Sequence, residues 1–174
     1  MNSTLYITSY LSPLGTLQLI ASNNSLIGLY FENATYMTKN INMLQAPSSH
    51  PSFTQTRIWL ESYFSHNILS TIPPLQLIGT PFMQLVWESL LKIPYGTTIT
   101  YGELSKIVAK HMNMKKMSAQ AIGGALKRNP IAIIVPCHRV VGRNGNLTGY
   151  RGGLKRKQFL LQLEKETLNS NTNN

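Results

Sequence analysis

"TPFMQLVWESLLKIPYGTTITYGELSK", residues 80–106, is the stretch on which the fold class turns. Thr80 stands as an N-cap and Pro81 suits the first helical turn. The apolar positions that follow are spaced as in an amphipathic helix until Pro94 stops it. After the PYGT turn, Thr100 and Glu103 form a capping box, so a second helix is predicted over 100–110. A polar connector, KHMNMKKM, leads to Ser118 and a third helix over 118–128, SAQAIGGALKR, ended by Asn129-Pro130. Two short helices joined by a connector, the second rich in small residues, predict a helix-turn-helix. Gly123 and Gly124 inside that helix each cost ~1 kcal/mol relative to alanine. Close approach of another backbone would explain their presence.

Towards the N-terminus the pattern changes. TLYITSYL, TLQLIAS and SLIGLYF are β-rich runs separated by the turn signals SPLG and SNNS, and they predict an antiparallel meander. Residues 33–49 form a polar loop, with or without a short helix. PSFTQTRIWLESYFS has helical spacing suited to lying on that sheet. ILSTIPPLQLIG is an extended connector with the domain boundary near its end. Beyond the third helix, IAIIV (131–135) is too short for a helix and is expected to be a buried strand. GRNGN reads as a hairpin-type turn. GGLKRKQFLLQLEKE is an amphipathic helix, and residues 167–174 form a disordered tail. The expected fold is α+β. A small N-terminal α/β domain (1–78) carries the antiparallel sheet, and a mostly helical C-terminal domain follows (79–166).

Lys and Arg number 16 against 6 acidic residues, a formal net charge of +10. Residues 1–80 balance Lys39 and Arg57 against Glu32 and Glu61, so the whole excess falls in the second half. That half is either a polyanion-facing module or a solvated lysine-rich surface. The chain has no aspartate, which excludes a Ser-His-Asp triad, aspartate metal sites and EF-hand loops. His50, His66, His111 and His138 are too scattered for a zinc site at familiar spacings, so no metal is expected. One cysteine forms no internal disulfide. The N-terminus lacks the basic and apolar regions of a signal peptide, and no apolar run reaches membrane-spanning length. A soluble, cytoplasmic protein is expected.

The single cysteine, Cys137, sits in NPIAIIVPCHRVVGRNGNLTGYRGG, between a proline and a His-Arg pair. A lone cysteine after a strand is commonly a small buried hydrophobe. Pro136, however, breaks the strand where a pocket can open, and His138 and Arg139 are expected to lower the thiol pKa from its reference of ~8.5. On the residues alone, inert packing and a reactive nucleophile both stand.

PCHRVVG, with NP before it and GNLTGYRGGLKRKQFLL after it, resembles the O6-alkylguanine-DNA alkyltransferase family, the methylated-DNA–protein-cysteine methyltransferases. The resemblance runs almost continuously over residues 80–165, and the first half resembles the family in pattern and length. It implies a winged helix-turn-helix-like DNA-binding element and a DNA-repair activity without a cofactor. Such a protein flips O6-methylguanine, and less efficiently O4-methylthymine, out of the duplex. It then moves the alkyl group irreversibly to Cys137, once per molecule. The implied roles follow the motif. His138 would act through a water as base for the thiol, with Glu164 orienting it and Asn129 bracing the site. Tyr101 would press on the target phosphate and contact the base. Helix 118–128 would enter the minor groove, with Gln120 filling the gap and Ala121, Gly124 and Ala125 allowing close approach. Tyr150, Arg151 and Gly152 would wall the pocket, the Arg151 N–H donating to guanine O6, while the carbonyls of Cys137 and Val140 would accept from the guanine amino group. Arg139 would be structural or phosphate-facing. The implied partner is double-stranded DNA bound by a monomer, with no membrane.

Two features depart from the family pattern: Gln120 stands where arginine is usual, and the 110–117 connector is long. Two other classes compete on the residues. One is a DNA-binding module with an inert cysteine. The other is a Cys-His hydrolase, against which the missing aspartate and the basic half both weigh.

Overall fold

The computed structural model describes residues 4–32, 43–46, 50–67 and 71–172. The chain divides into two compact units. One comprises residues 1–78 with Pro130–Ala132, the other residues 79–129 and 133–174.

The first unit is built on a four-stranded sheet in the order β3-β2-β1-β4. Strands β1 (Leu5–Ser12), β2 (Gly15–Ala21) and β3 (Leu26–Phe31) form the expected antiparallel meander. Its first turn is closed by Ser12 Oγ donating to Gly15 O at 2.6 Å, with Gly15 at φ 97°, a conformation glycine adopts without strain. Strand β4 (Met43–Gln45) falls where the sequence predicts only loop. It pairs parallel with β1, and three residues are too few to show periodicity. Most of the polar stretch 33–49 lies outside the described residues. Helix α1 (Pro51–Phe64) packs on β1, β2 and β3. It buries Phe53, Thr56, Leu60 and Tyr63, one stripe at helical spacing, while Arg57 donates to Thr8 Oγ1 and Ser9 O.

Two segments complete the free edge of β3. Leu26 exchanges hydrogen bonds with the 74–76 backbone, and Leu29 with Pro130 and Ala132. The expected strand over 131–135 is therefore reduced to one bridge residue, Ile131. The chain then turns, with Ile133 at φ 69°. That conformation is an outlier for a β-branched side chain, and it ends any ladder. The segment looks like a strand because Ile131, Ile133, Ile134 and Val135 are all buried, and short apolar runs do not reveal their backbone.

The second unit is helical. Thr80 Oγ1 accepts Met83 N–H to start α2 (Pro81–Leu91), and both halves of the Thr100–Glu103 capping box are formed at α3 (Tyr101–His111). Ser118 Oγ accepts Gln120 N–H at the start of α4 (Ala119–Lys127). Trp87, fully buried on α2, donates its indole N–H to Ala125 O on α4 at 2.9 Å. This bond and the apolar faces of Leu104, Val108, Ile122 and Leu126 lock the three helices together. Cβ positions built at Gly123 and Gly124 meet nothing closer than 3.6 Å, so no protein backbone crowds them and that helix face is open.

The GRNGN segment makes no hairpin. Arg143–Gly145 is a 3-10 turn, and the strand before it, β6 (Val140–Val141), pairs parallel with β5 (Ile99–Thr100). A hairpin needs a returning strand, and residues 146–153 form none. The final helix, α5 (Leu154–Thr172), overruns the tail expected from residue 167. Thr167 is buried, bonding Leu163 O and Tyr95 OH, and Ser170 Oγ donates to Glu166 O, so the last turns are held. Lys157, Leu160, Leu163, Glu164 and Thr167 form the buried stripe of α5. Among the described residues no helix is long and apolar enough to cross a membrane.

Candidate active site

Cys137 opens a 3-10 turn, Cys137–Arg139, that begins where Pro136 leaves the extended backbone. It is 7% exposed. Asn129, at the end of α4, donates its side-chain amide to Val135 O at 2.8 Å and to Cys137 Sγ at 3.2 Å. One side chain thus ties the recognition-type helix to the thiol. His138 is fully buried and sets Nε2 at 2.7 Å from Glu164 Oε1 on α5. With that proton donated to the carboxylate, the neutral ring has Nδ1 as its base. Burial pushes the His138 pKa down, against the pull of Glu164, so the ring is neutral at neutral pH.

Arg139 does not face outward. It is 8% exposed, its Nε and Nη2 fork onto both Glu164 oxygens at 2.9–3.2 Å, and Nη1 donates to Ile93 O at 2.7 Å. Its guanidinium lies over the Tyr95 ring, 5.4 Å from the centroid. Gly96 N–H also donates to Glu164 Oε2. Burial alone would raise the Glu164 pKa, but the His138 hydrogen bond and the Arg139 fork outweigh it and hold the carboxyl at about 2. A phosphate-facing Arg139 is therefore ruled out, because the ion pair with Glu164 keeps it inside.

The thiol environment also differs from the sequence expectation. Burial pushes the Cys137 pKa up. The influences that oppose it are the Asn129 hydrogen bond and the charges of Lys157 and Arg151, not the adjacent His138 and Arg139. Lys157 was missed by sequence reasoning. It is fully buried and bridges the carbonyls of Val140 and Thr148 at 2.6 and 2.7 Å. Its place one heptad before Glu164, on the same face of α5, was the available signal, hidden in a lysine-rich run that reads as solvated.

Beside the thiol is a cavity of about 40 Å³, lined by Tyr101, Gly123, Lys127, Gly149, Tyr150 and Arg151 among others. The Tyr101 hydroxyl closes its rim, lying 3.3 and 3.2 Å from the Thr148 and Gly149 carbonyls. Gly149 is at φ 53°, and a Cβ there would sit 2.9 Å from the same hydroxyl, so glycine is required on both counts. Val140 O is engaged by Lys157, Cys137 O accepts Val140 N–H, and Gly152 O accepts Arg156 Nη1. On α4, Gln120 is exposed and Ala121 and Gly124 are half-buried. Ala125 is 1% exposed beneath Trp87, so it faces the core and offers no surface to a groove. Among the described residues no group of three His, Cys, Asp or Glu side chains is arranged to hold a metal ion.

Fold and site together define a class: a buried cysteine, bonded by Asn129 and next to a His–Glu pair, built into a helix-turn-helix unit. Residues 81–166 match the family description "6-O-methylguanine DNA methyltransferase, DNA binding domain", and residues 5–77 match its "ribonuclease-like domain". The methylated-DNA–protein-cysteine methyltransferase of Haemophilus influenzae is 41% identical over 170 residues, covering 94% of this chain and 88% of that protein. The Mycobacterium leprae protein of the same name is 42% identical over 154 residues, with 88% of each covered. The crystal structure of Mycobacterium tuberculosis OGT in complex with DNA superimposes with a TM-score of 0.81 at 39% identity, covering 93% of this chain and 94% of that one. The chain belongs to the methylated-DNA–protein-cysteine methyltransferase family.

Proposed function

We propose that this protein repairs duplex DNA by transferring the alkyl group of O6-alkylguanine to Cys137, once per molecule. The observation that carries the reading is the 3.2 Å bond from Asn129 to Sγ beside the His138–Glu164 pair at 2.7 Å. A thiol braced at the end of a DNA-facing helix, with a buried base next to it in sequence, is what the reaction needs. In the step proposed, the thiol proton passes through a water to His138 Nδ1. Sulfur attacks the alkyl carbon from the side opposite O6, the S–C bond forms, and the C–O pair returns to the purine. Protonation of the purine restores guanine, aided by the Arg151 N–H at O6. The thioether has no hydrolytic exit, so the protein is consumed.

The base leaves the stack at a cost of a few kcal/mol. Helix α4 lies in the minor groove on its open Gly123–Gly124 face, with Gln120 in the space the base vacates and Tyr101 against the target phosphate. Residues 79–166 carry this chemistry, and the sheet unit acts as scaffold. We place the protein in the cytoplasm, where a lone thiol remains reduced. The test is intact mass and peptide mapping after reaction with excess O6-methylguanine duplex. One methyl on Cys137 and a plateau at one per protein are expected. Turnover beyond that stoichiometry, or binding without covalent transfer, would overturn the reading.

A further inference from the structure

The connector between α3 and α4 is closed by hydrogen bonds at both ends. Asn113 takes the left-handed conformation at φ 53°. Asn113 N–H donates to Lys110 O at 3.2 Å, and Met114 N–H reaches back to Ala109 O at 2.9 Å. These are the two bonds of a Schellman closure, with asparagine in the glycine position. At the other end Ser118 caps α4 through Gln120 N–H. Only Lys115, Lys116 and Met117 lie between the two closures, so the lysine pair is held beside the first turn of α4. Every residue from 111 to 120 except Met117 is exposed, Met112 and Met114 at 39% and 48%. The chain has no acidic residue from 104 to 163, a stretch that holds 12 of its 16 basic ones. Among the described residues neither Lys115 nor Lys116 forms an ion pair.

We propose that this connector is a second DNA-contacting surface, outside the lesion site. Lys115 and Lys116 would neutralise phosphates on the flank beyond the N-terminus of α4, while Met112 and Met114 rest on deoxyribose. Two charges flanked by apolar thioethers match the alternation of phosphate and sugar along a duplex edge. An isolated anion would match only the charges. The inference rests on the reading that α4 faces DNA.

The test compares the full chain with the Lys115→Gln/Lys116→Gln double variant. The substrates are a lesion duplex extending a full helical turn on both sides, and two duplexes each truncated near the lesion on one side. Losing two phosphate contacts should make the slope of log K against log[salt] shallower by about 1.8 on the long duplex. The difference should vanish on one truncated duplex and persist on the other, and Lys115→Arg/Lys116→Arg should restore the slope. Reaction with free O6-benzylguanine should be unchanged. An unchanged slope on the long duplex, or an equal loss on all three, overturns the inference while leaving alkyl transfer to Cys137 intact. Absence of transfer by the unaltered protein would instead count against the proposed function.

Discussion

Lys157 carries a charge in a place where charge is costly. Burial pushes its pKa down, opposed by Cys137. Its two carbonyl partners accept two of its three N–H donors without neutralising it, and its charge acts on the thiol. Replacing it with methionine keeps the stem and removes the charge. The expected result is a higher thiol pKa, seen as a pH–rate profile displaced upward with free O6-benzylguanine. At neutral pH the rate should fall on the order of tenfold for every pH unit by which the profile moves, and the two proteins should converge at high pH. A parallel drop at all pH values would mean that Lys157 only packs. At this scale Cys137 and His138 stood out in the sequence as a lone thiol beside a histidine, whereas Asn129 and Glu164 were legible only through the family resemblance, because they lie on other elements. Lys157, Arg139 and Ala125 were not, since each is decided by tertiary burial. An arginine beside a histidine looks the same in sequence whether it points at solvent or at a carboxylate.

Helix α4 shows what local sequence can and cannot say about an element. Its start is written in Ser118, as the starts of α2 and α3 are in Thr80 and in the Thr100–Glu103 pair, because a cap is a local hydrogen bond. The 131–135 segment and the GRNGN turn differ from expectation because a strand is defined by a partner far away in sequence. The end of α5 differs because polar residues there are held by Tyr95 and by backbone acceptors. Gln120 is exposed at the start of α4, and the proposed function puts it in the space the base vacates. Gln120→Gly should slow repair of duplex DNA several-fold while leaving the reaction with free O6-benzylguanine nearly unchanged, since a free base leaves no gap behind it. Gln120→Arg should tighten duplex binding and steepen its salt dependence, because guanidinium adds a charge and a planar fork of donors. Equal slowing of Gln120→Gly on both substrates would place the side chain in the fold.

For the molecule as a whole, the neutral first half and basic second half were readable from composition alone. The insertion of Pro130–Ala132 into the sheet unit was not, because it is a long-range edge pairing. The buried network makes stability depend on pH. His138 has its pKa lowered on folding, so the unfolded chain takes up a proton first as pH falls below about 6.5, and stability declines from there. Glu164 is held at about 2 against an ordinary 4.5, so its contribution is full above 4.5 and is lost as pH falls towards 2. Urea unfolding between neutral and acid pH should therefore show a decline that steepens under 4.5. Glu164→Gln should remove the steeper part. A flat profile down to pH 4 would contradict the assigned ionisation states.

The Tyr101 hydroxyl resting on the 148–149 carbonyls has a meaning for the protein's lifetime before it meets DNA. A reagent that works once must not be quenched in storage by the small electrophiles around it. Here the sulfur is buried and its pKa is raised by that burial, and the Tyr101 hydroxyl stands at the rim of the pocket beside it, so both protonation and access work against premature alkylation. A ligand that parts tyrosine from loop would expose the sulfur further. Iodoacetamide should accordingly label Cys137 far more slowly than a free thiol, and Tyr101→Phe, which lacks the tether, should be labelled several-fold faster. Equal labelling rates would show that the tether guards nothing.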